Sequence, residues 1–142
     1  MALDERVHCC PDGLVTDRRR RIKVLDCTIR DGGICNDWHF DHDVVARLYE
    51  ALATSGIEYM EVGYWTREGA FDRNAVGPWR FCDEADLARI VKGSGGIKLT
   101  AMLDTGRIGV EDIRPAADSL IDVLRIATYA RDMDEALRNI AE

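Results

Sequence analysis

The sequence predicts an α/β protein built on a parallel sheet. Short apolar, β-prone runs alternate along the chain with stretches of helical periodicity. Glycine-containing breaks separate the two kinds of segment. The resulting order, βαβαβαβα, implies parallel strands joined by helical crossovers.

Taken in order, residues 1–21 are polar and turn-rich and read as an extension ahead of the fold, which occupies 22–142. The run Arg18-Arg19-Arg20-Arg21 reads as a solvated approach to the first strand, with phosphate or nucleic-acid binding as the other reading. Ile22 to Cys27 forms strand one, with Ile22, Val24 and Leu25 as its apolar residues. Gly32 and Gly33 then break the strand and turn the chain, allowing backbone with φ > 0. From Phe40 to Ser55 the pattern is helical. Val44, Val45, Leu48, Tyr49 and Leu52 recur at helical spacing, with Asp41 or Asp43 near the start and Gly56 beyond the end.

Strand two spans Ile57 to Gly63, and its Tyr59-Met60-Glu61-Val62 segment is apolar except for Glu61. A long loop, Tyr64 to Phe81, follows, and loops of that length are often functional. Asp83 to Val91 is a helix burying Leu87, Ile90 and Val91, ended by Gly93-Ser94-Gly95-Gly96. Strand three is Ile97 to Leu103, followed by Asp104-Thr105-Gly106. Short helical turns are expected at Val110 to Ile113 and Ala116 to Leu120, strand four at Ile121 to Ala127, and a last helix at Asp132 to Glu142.

Composition narrows the function classes. A chain of 142 residues is one domain and can bury a core. With 46% hydrophobic and 32% charged residues, disorder is not expected. No apolar run approaches a membrane span and no signal-peptide pattern opens the chain, so a cytoplasmic location is the expectation. The net charge of −7 argues against general nucleic-acid binding. The five cysteines are odd in number and irregularly spaced, which favours reduced thiols. His8-Cys9-Cys10 lacks a second ligand pair at zinc spacing.

Chemistry concentrates at Arg30-Asp31, an opposite-charge pair just past an apolar strand. α/β enzymes present reactive groups at strand C-terminal ends. An Asp there can ligate a hard cation, and an Arg can hold a carboxylate or stabilise an oxyanion. A surface ion pair is the other reading.

The run Asp26-Cys27-Thr28-Ile29-Arg30-Asp31-Gly32 resembles the D-x-T-L-R-D-G signature of the DRE-TIM metal-dependent aldolases and lyases. These include 4-hydroxy-2-oxoacid aldolases, hydroxymethylglutaryl-CoA lyase and isopropylmalate synthases. Asp31 to Phe40 is similar to the D-G-G-x-x-N-x-W-x-F form of bacterial aldolase-catalytic-domain proteins. Gly77 to Cys82 resembles a G-P-F-x-F-C segment, and Arg125-Ile126-Ala127-Thr128 an R-x-A-T motif of strand four. The resemblance implies a (β/α)₈ TIM barrel of the usual ~250 residues, of which this chain supplies the first four β/α units. It thus implies a fragment.

By the same resemblance, Asp31 is a ligand of Mn²⁺ or Mg²⁺, Arg30 stabilises the enolate of a 2-oxoacid, and Glu61 is the third signature residue, orienting Arg30. Arg30, Trp65 and Arg125 are the candidate substrate contacts, with Trp38, Tyr64 and Arg80 as further possibilities. The family's H-x-H metal ligands have no match among His8, His39 and His42, and the histidine expected four residues after the arginine is Ile34. The implied partner is a small 2-oxoacid, with self-association or the missing barrel half beside it. A Claisen-type acyl-CoA synthase and a non-catalytic, partner-binding half-barrel are the alternatives.

Overall fold

A computed structural model describes residues 22–67, 69–91 and 96–141. The N-terminal extension, its arginine run, His8-Cys9-Cys10 and most of the Gly93–Gly96 break lie outside the described residues.

Four strands form one parallel sheet in the order β1-β2-β3-β4. They are β1 (Leu25–Asp26), β2 (Tyr59–Tyr64), β3 (Lys98–Asp104) and β4 (Val123–Ala127). Four α-helices accompany them: α1 (Thr28–Gly32), α2 (His42–Thr54), α3 (Glu84–Ile90) and α4 (Met133–Ala141). The β3–β4 connection contains only 3₁₀ turns at Val110–Asp112 and Ala116–Asp118, so the crossover is reduced to the short turns the sequence suggested.

One face of the sheet meets the helices. Val45 and Tyr49 of α2 and Leu87 and Ile90 of α3 pack in a core with Leu99, Ala101 and Leu103 of β3. On β4, Leu124 and Ile126 pack against that core, while Val123 is 39% exposed and points away. Alternation along the strand puts Arg125 on the second face. Burying some 1.5–3 kcal/mol per large apolar side chain, this core is what fixes the strand register.

Three local expectations change. Strand one shrinks to two residues, because Ile22 and Val24 are 65% and 46% exposed and have no neighbour beyond β1. Val44 is 42% exposed, so the buried stripe of α2 runs through Val45, Ala46 and Tyr49 instead. Gly32 and Gly33 are helical, with φ of −61° and −57°. What Gly33 supplies is space: a Cβ there would lie 2.0 Å from Cδ1 of Trp38. The left-handed positions of this stretch come later, at Asp37 and Trp38, with φ 52° and 59°.

β2 carries a register shift against β3 between Glu61 and Gly63. Such a bulge re-aims side chains and is common beside functional sites. Gly63 is also a contact requirement, since a Cβ would meet the Trp79 carbonyl oxygen at 1.8 Å. The loop after β2 therefore packs directly on the strand, and Trp79, Phe81 and Cys82 are buried.

Candidate active site

Glu61 is fully buried on β2 and would be costly there without partners. It has two. Arg30 Nε donates to Glu61 Oε1 at 2.6 Å, and Arg125 donates from Nε to Oε2 at 2.6 Å and from Nη2 to Oε1 at 2.8 Å. The second is a two-pronged guanidinium–carboxylate contact, the stronger geometry for such pairs. Arg30 is 12% exposed and Arg125 43%, so the cluster has a closed side and an open side. Arg30 Nη1 also donates to Asp31 Oδ1, and the Asp31 side chain is 58% exposed.

The electrostatics follow from Glu61. Burial works against the Arg30 charge, but the Glu61 hydrogen bond and charge outweigh it and hold the guanidinium above its ordinary range. The Glu61 hydrogen bond likewise raises Arg125 against burial. The Tyr64 hydroxyl and the Cys27 thiol add smaller contributions in the same direction. Burial and the Glu61 charge push the Cys27 thiol up, so it stays protonated.

A scaffold holds Arg30 in place. Asp26 accepts from the Thr28 amide at 3.1 Å and the Thr28 hydroxyl at 2.8 Å, fixing the start of α1. The Trp38 indole N–H donates to the Arg30 carbonyl at 3.0 Å. Asn36 Nδ2 bonds the His39 carbonyl at 2.9 Å, and the Trp79 indole N–H bonds the Phe40 carbonyl at 2.9 Å. Most of the motif from Asp31 to Phe40 is thus scaffold; Arg30 and Asp31 are what it presents.

Other sequence candidates fall elsewhere. Trp65 joins the core at 9% exposure, with its indole N–H on the Asp112 carbonyl at 3.0 Å. One edge of it lines a cleft of about 290 Å³ that does not include Arg30 or Glu61. Arg80 is 4% exposed and stacked on aromatic rings. His42 bonds Asp86 at 2.6 Å, joining α2 to α3, and His39 and Ile34 are exposed. Tyr64 and Cys27 as Arg30 partners were not legible, although both flank the strand ends that converge on it.

A divalent cation requires several hard oxygen or imidazole donors. Asp31 offers one exposed carboxylate beside Arg30. Among the described residues no group of three metal-ligating side chains occurs. The described residues therefore offer one exposed carboxylate donor there and no group of three ligands around it.

Among the described residues no helix is long and apolar enough to cross a membrane. No protein-family model matches the chain. Curated proteins do. A 4-hydroxy-2-oxovalerate aldolase of Moorella thermoacetica is 33% identical over 119 residues, which is 81% of this chain and 34% of that protein. An oxaloacetate decarboxylase of Mycobacterium tuberculosis is 31% identical over 121 residues, 85% of this chain and 35% of that protein. The crystal structure of the N-terminal domain of a protein described as an aldolase, from Bacteroides vulgatus, superposes with a TM-score of 0.66 at 27% identity, covering 84% of this chain and 41% of that one. The chain spans about a third of the length of the curated relatives it matches. Over that span the chain is similar in sequence to 4-hydroxy-2-oxovalerate aldolase and oxaloacetate decarboxylase, and in fold to the N-terminal domain of a protein described as an aldolase.

Proposed function

We propose that the chain supplies the arginine–aspartate part of an active site that makes or breaks a carbon–carbon bond next to a 2-oxoacid. The observation that carries this reading is the buried Glu61, which holds the Arg30 guanidinium at 2.6 Å beside the exposed Asp31. Cleavage next to a 2-oxoacid leaves an enolate of the pyruvate type, with negative charge growing on oxygen. A guanidinium fixed in advance stabilises that charge without reorganising. Glu61 is a positioning residue, spending one donor of Arg30 and two of Arg125. A guanidinium has five N–H donors, so both arginines retain donors for the substrate carboxylate and oxyanion. Trp65 remains a candidate substrate contact only through the edge it turns to its cleft.

Asp31 is proposed as one ligand of a Mn²⁺ or Mg²⁺ ion whose remaining ligands lie beyond the described residues. When bound, that ion would supply Lewis-acid polarisation. The proposed partner is the remainder of a barrel or a second copy, covering the apolar residues on β4 and α4. The proposed location is the cytoplasm.

The test uses a protein carrying this chain together with the remaining barrel units. Asp31→Asn is expected to weaken metal binding. Arg30→Ala is expected to leave metal affinity largely intact and to lower pyruvate release by ~10²–10³. Metal titration and solvent-deuterium exchange into pyruvate read the two effects separately. Unchanged metal affinity in the first variant, or an unchanged rate in the second, would refute these roles.

A further inference from the structure

We propose that the pocket over Arg80 binds the carboxylate of a small organic acid, one aromatic layer away from Arg30. This does not rest on the proposed reaction.

Among the described residues, Glu61 and Arg80 are the buried ionisable side chains with a full charge. Glu61 is compensated at 2.6 Å from both sides. Arg80 is not. Its nearest carboxylate among the described residues, Asp104, stands 3.8 Å from Nη2 and is 29% exposed. Nη1 donates to the Thr66 hydroxyl at 3.3 Å. Nε is buried without an acceptor. The rings around the group do not replace one. Tyr64, Phe71 and Trp38 lie 3.8, 4.2 and 5.1 Å from the guanidinium carbon and attract its charge through their faces, but ring faces accept little from in-plane N–H donors. Burial pulls the Arg80 pKa down, Asp104 offsets part of that, and Arg107 adds to it.

The charges facing this group are lopsided. Among the described residues, Arg67, Arg80 and Arg107 line one small cavity with Asp104 as its acidic member. In a chain of net charge −7, a local excess of positive charge on a buried group calls for an anion. The cavity holds about 10 Å³, room for one water-sized centre, so only a single oxygen enters it. Beside it, sharing Trp65, Thr66 and Arg67, opens the cleft of about 290 Å³. A carboxylate fits both: one oxygen toward Arg80, the organic remainder in the cleft. Trp38 is the layer between the two arginines, with its ring 5.1 Å from the Arg80 guanidinium and its indole N–H on the Arg30 carbonyl at 3.0 Å.

The chain labelled with ¹⁵N-arginine tests this. Its Arg80 Nε–H resonance, assigned through its own backbone, is followed by NMR as acetate is added at constant ionic strength, and again with chloride. A saturating shift with acetate, and a weaker one with chloride, supports the site. In Arg107→Ala, a surface change, the acetate dissociation constant should rise roughly two- to fivefold. No saturation leaves water as the occupant and overturns the proposal. Equal affinity for chloride overturns the carboxylate assignment, and an unchanged affinity in Arg107→Ala places the binding elsewhere and overturns the pocket.

Discussion

Replacing Glu61 by Gln tests the feature on which the candidate site depends. The carboxylate accepts from Arg30 at 2.6 Å and from Arg125 at 2.6 and 2.8 Å. A carboxamide has nearly the same shape but one acceptor oxygen, and its NH₂ would face a guanidinium donor. Removing one partner of a buried ion pair costs about 3–5 kcal/mol, because the other charge stays buried. The two arginines do not share that cost equally. Arg125 is 43% exposed and water can solvate it again, so its part is small. Arg30 is 12% exposed and carries most of the loss. The expected destabilisation is about 3 kcal/mol, the lower end of that range. Urea denaturation at one fixed protein concentration reads it as a lower midpoint with an unchanged slope. Arg125→Met should cost no more than about 1 kcal/mol. If Glu61→Gln unfolds within about 0.5 kcal/mol of the unaltered chain, as an ordinary surface change would, then Glu61 is not holding the buried Arg30 cation.

Two further outcomes follow from burial. Burial pushes the Cys82 thiol up from an ordinary value of 9.0. Above that pH the unfolded chain loses the proton and the folded one keeps it, so stability is full below about 9 and falls as pH rises through the ordinary thiol range. Denaturation between neutral and alkaline pH should show this slope, and Cys82→Ala should flatten it; an equal slope in both would refute the assignment. The second concerns association. Met133, Leu137 and Ile140 of α4 are 45%, 55% and 65% exposed, at helical spacing, and β1 and β4 are sheet edges. Sedimentation at several concentrations should show self-association of the isolated chain, and a concentration-independent monomer would count against an uncovered half-barrel.

The parts of the fold that were legible are those set by periodic burial. α2 and α3 sit where Leu52, Tyr49, Leu87 and Ile90 recur, and β2, β3 and β4 lie within a few residues of their apolar runs. What sequence pattern missed has a different cause each time. Ile22 and Val24 look like strand, but a β-prone run needs a neighbour to pair with, and β1 has one on a single side. The glycines after Asp31 look like a turn, yet Gly33 answers to the Trp38 ring, a contact invisible in local spacing. Tyr64 comes near Arg30 only because β2 lies beside β1, whereas Cys27 is local to it, at the start of α1. The Arg30–Glu61 pair itself, 31 residues apart, was reachable from the resemblance and from the oddity of a carboxylate in an apolar strand.

That oddity explains the order of the design. A strand interior accepts Glu61 only if cations come to it, and its two oxygens take three hydrogen bonds from two guanidinium groups. Arg30 arrives from α1 after β1, and Arg125 from β4, two strands beyond β2 on its other side. One carboxylate thus ties the first and last strands of the sheet to its middle. With Asp31 included, the local charges of Arg30, Arg125, Glu61 and Asp31 cancel, although the groups do not share the same environment. Glu61 is closed off, while Asp31 and part of Arg125 face outward. The buried negative charge therefore sets positions, and the exposed pair of Asp31 and Arg125 is what an incoming anion or cation meets first. A substitution at Glu61 should consequently disturb both arginines at once, whereas Asp31→Asn should leave the Arg30–Glu61 distance unchanged.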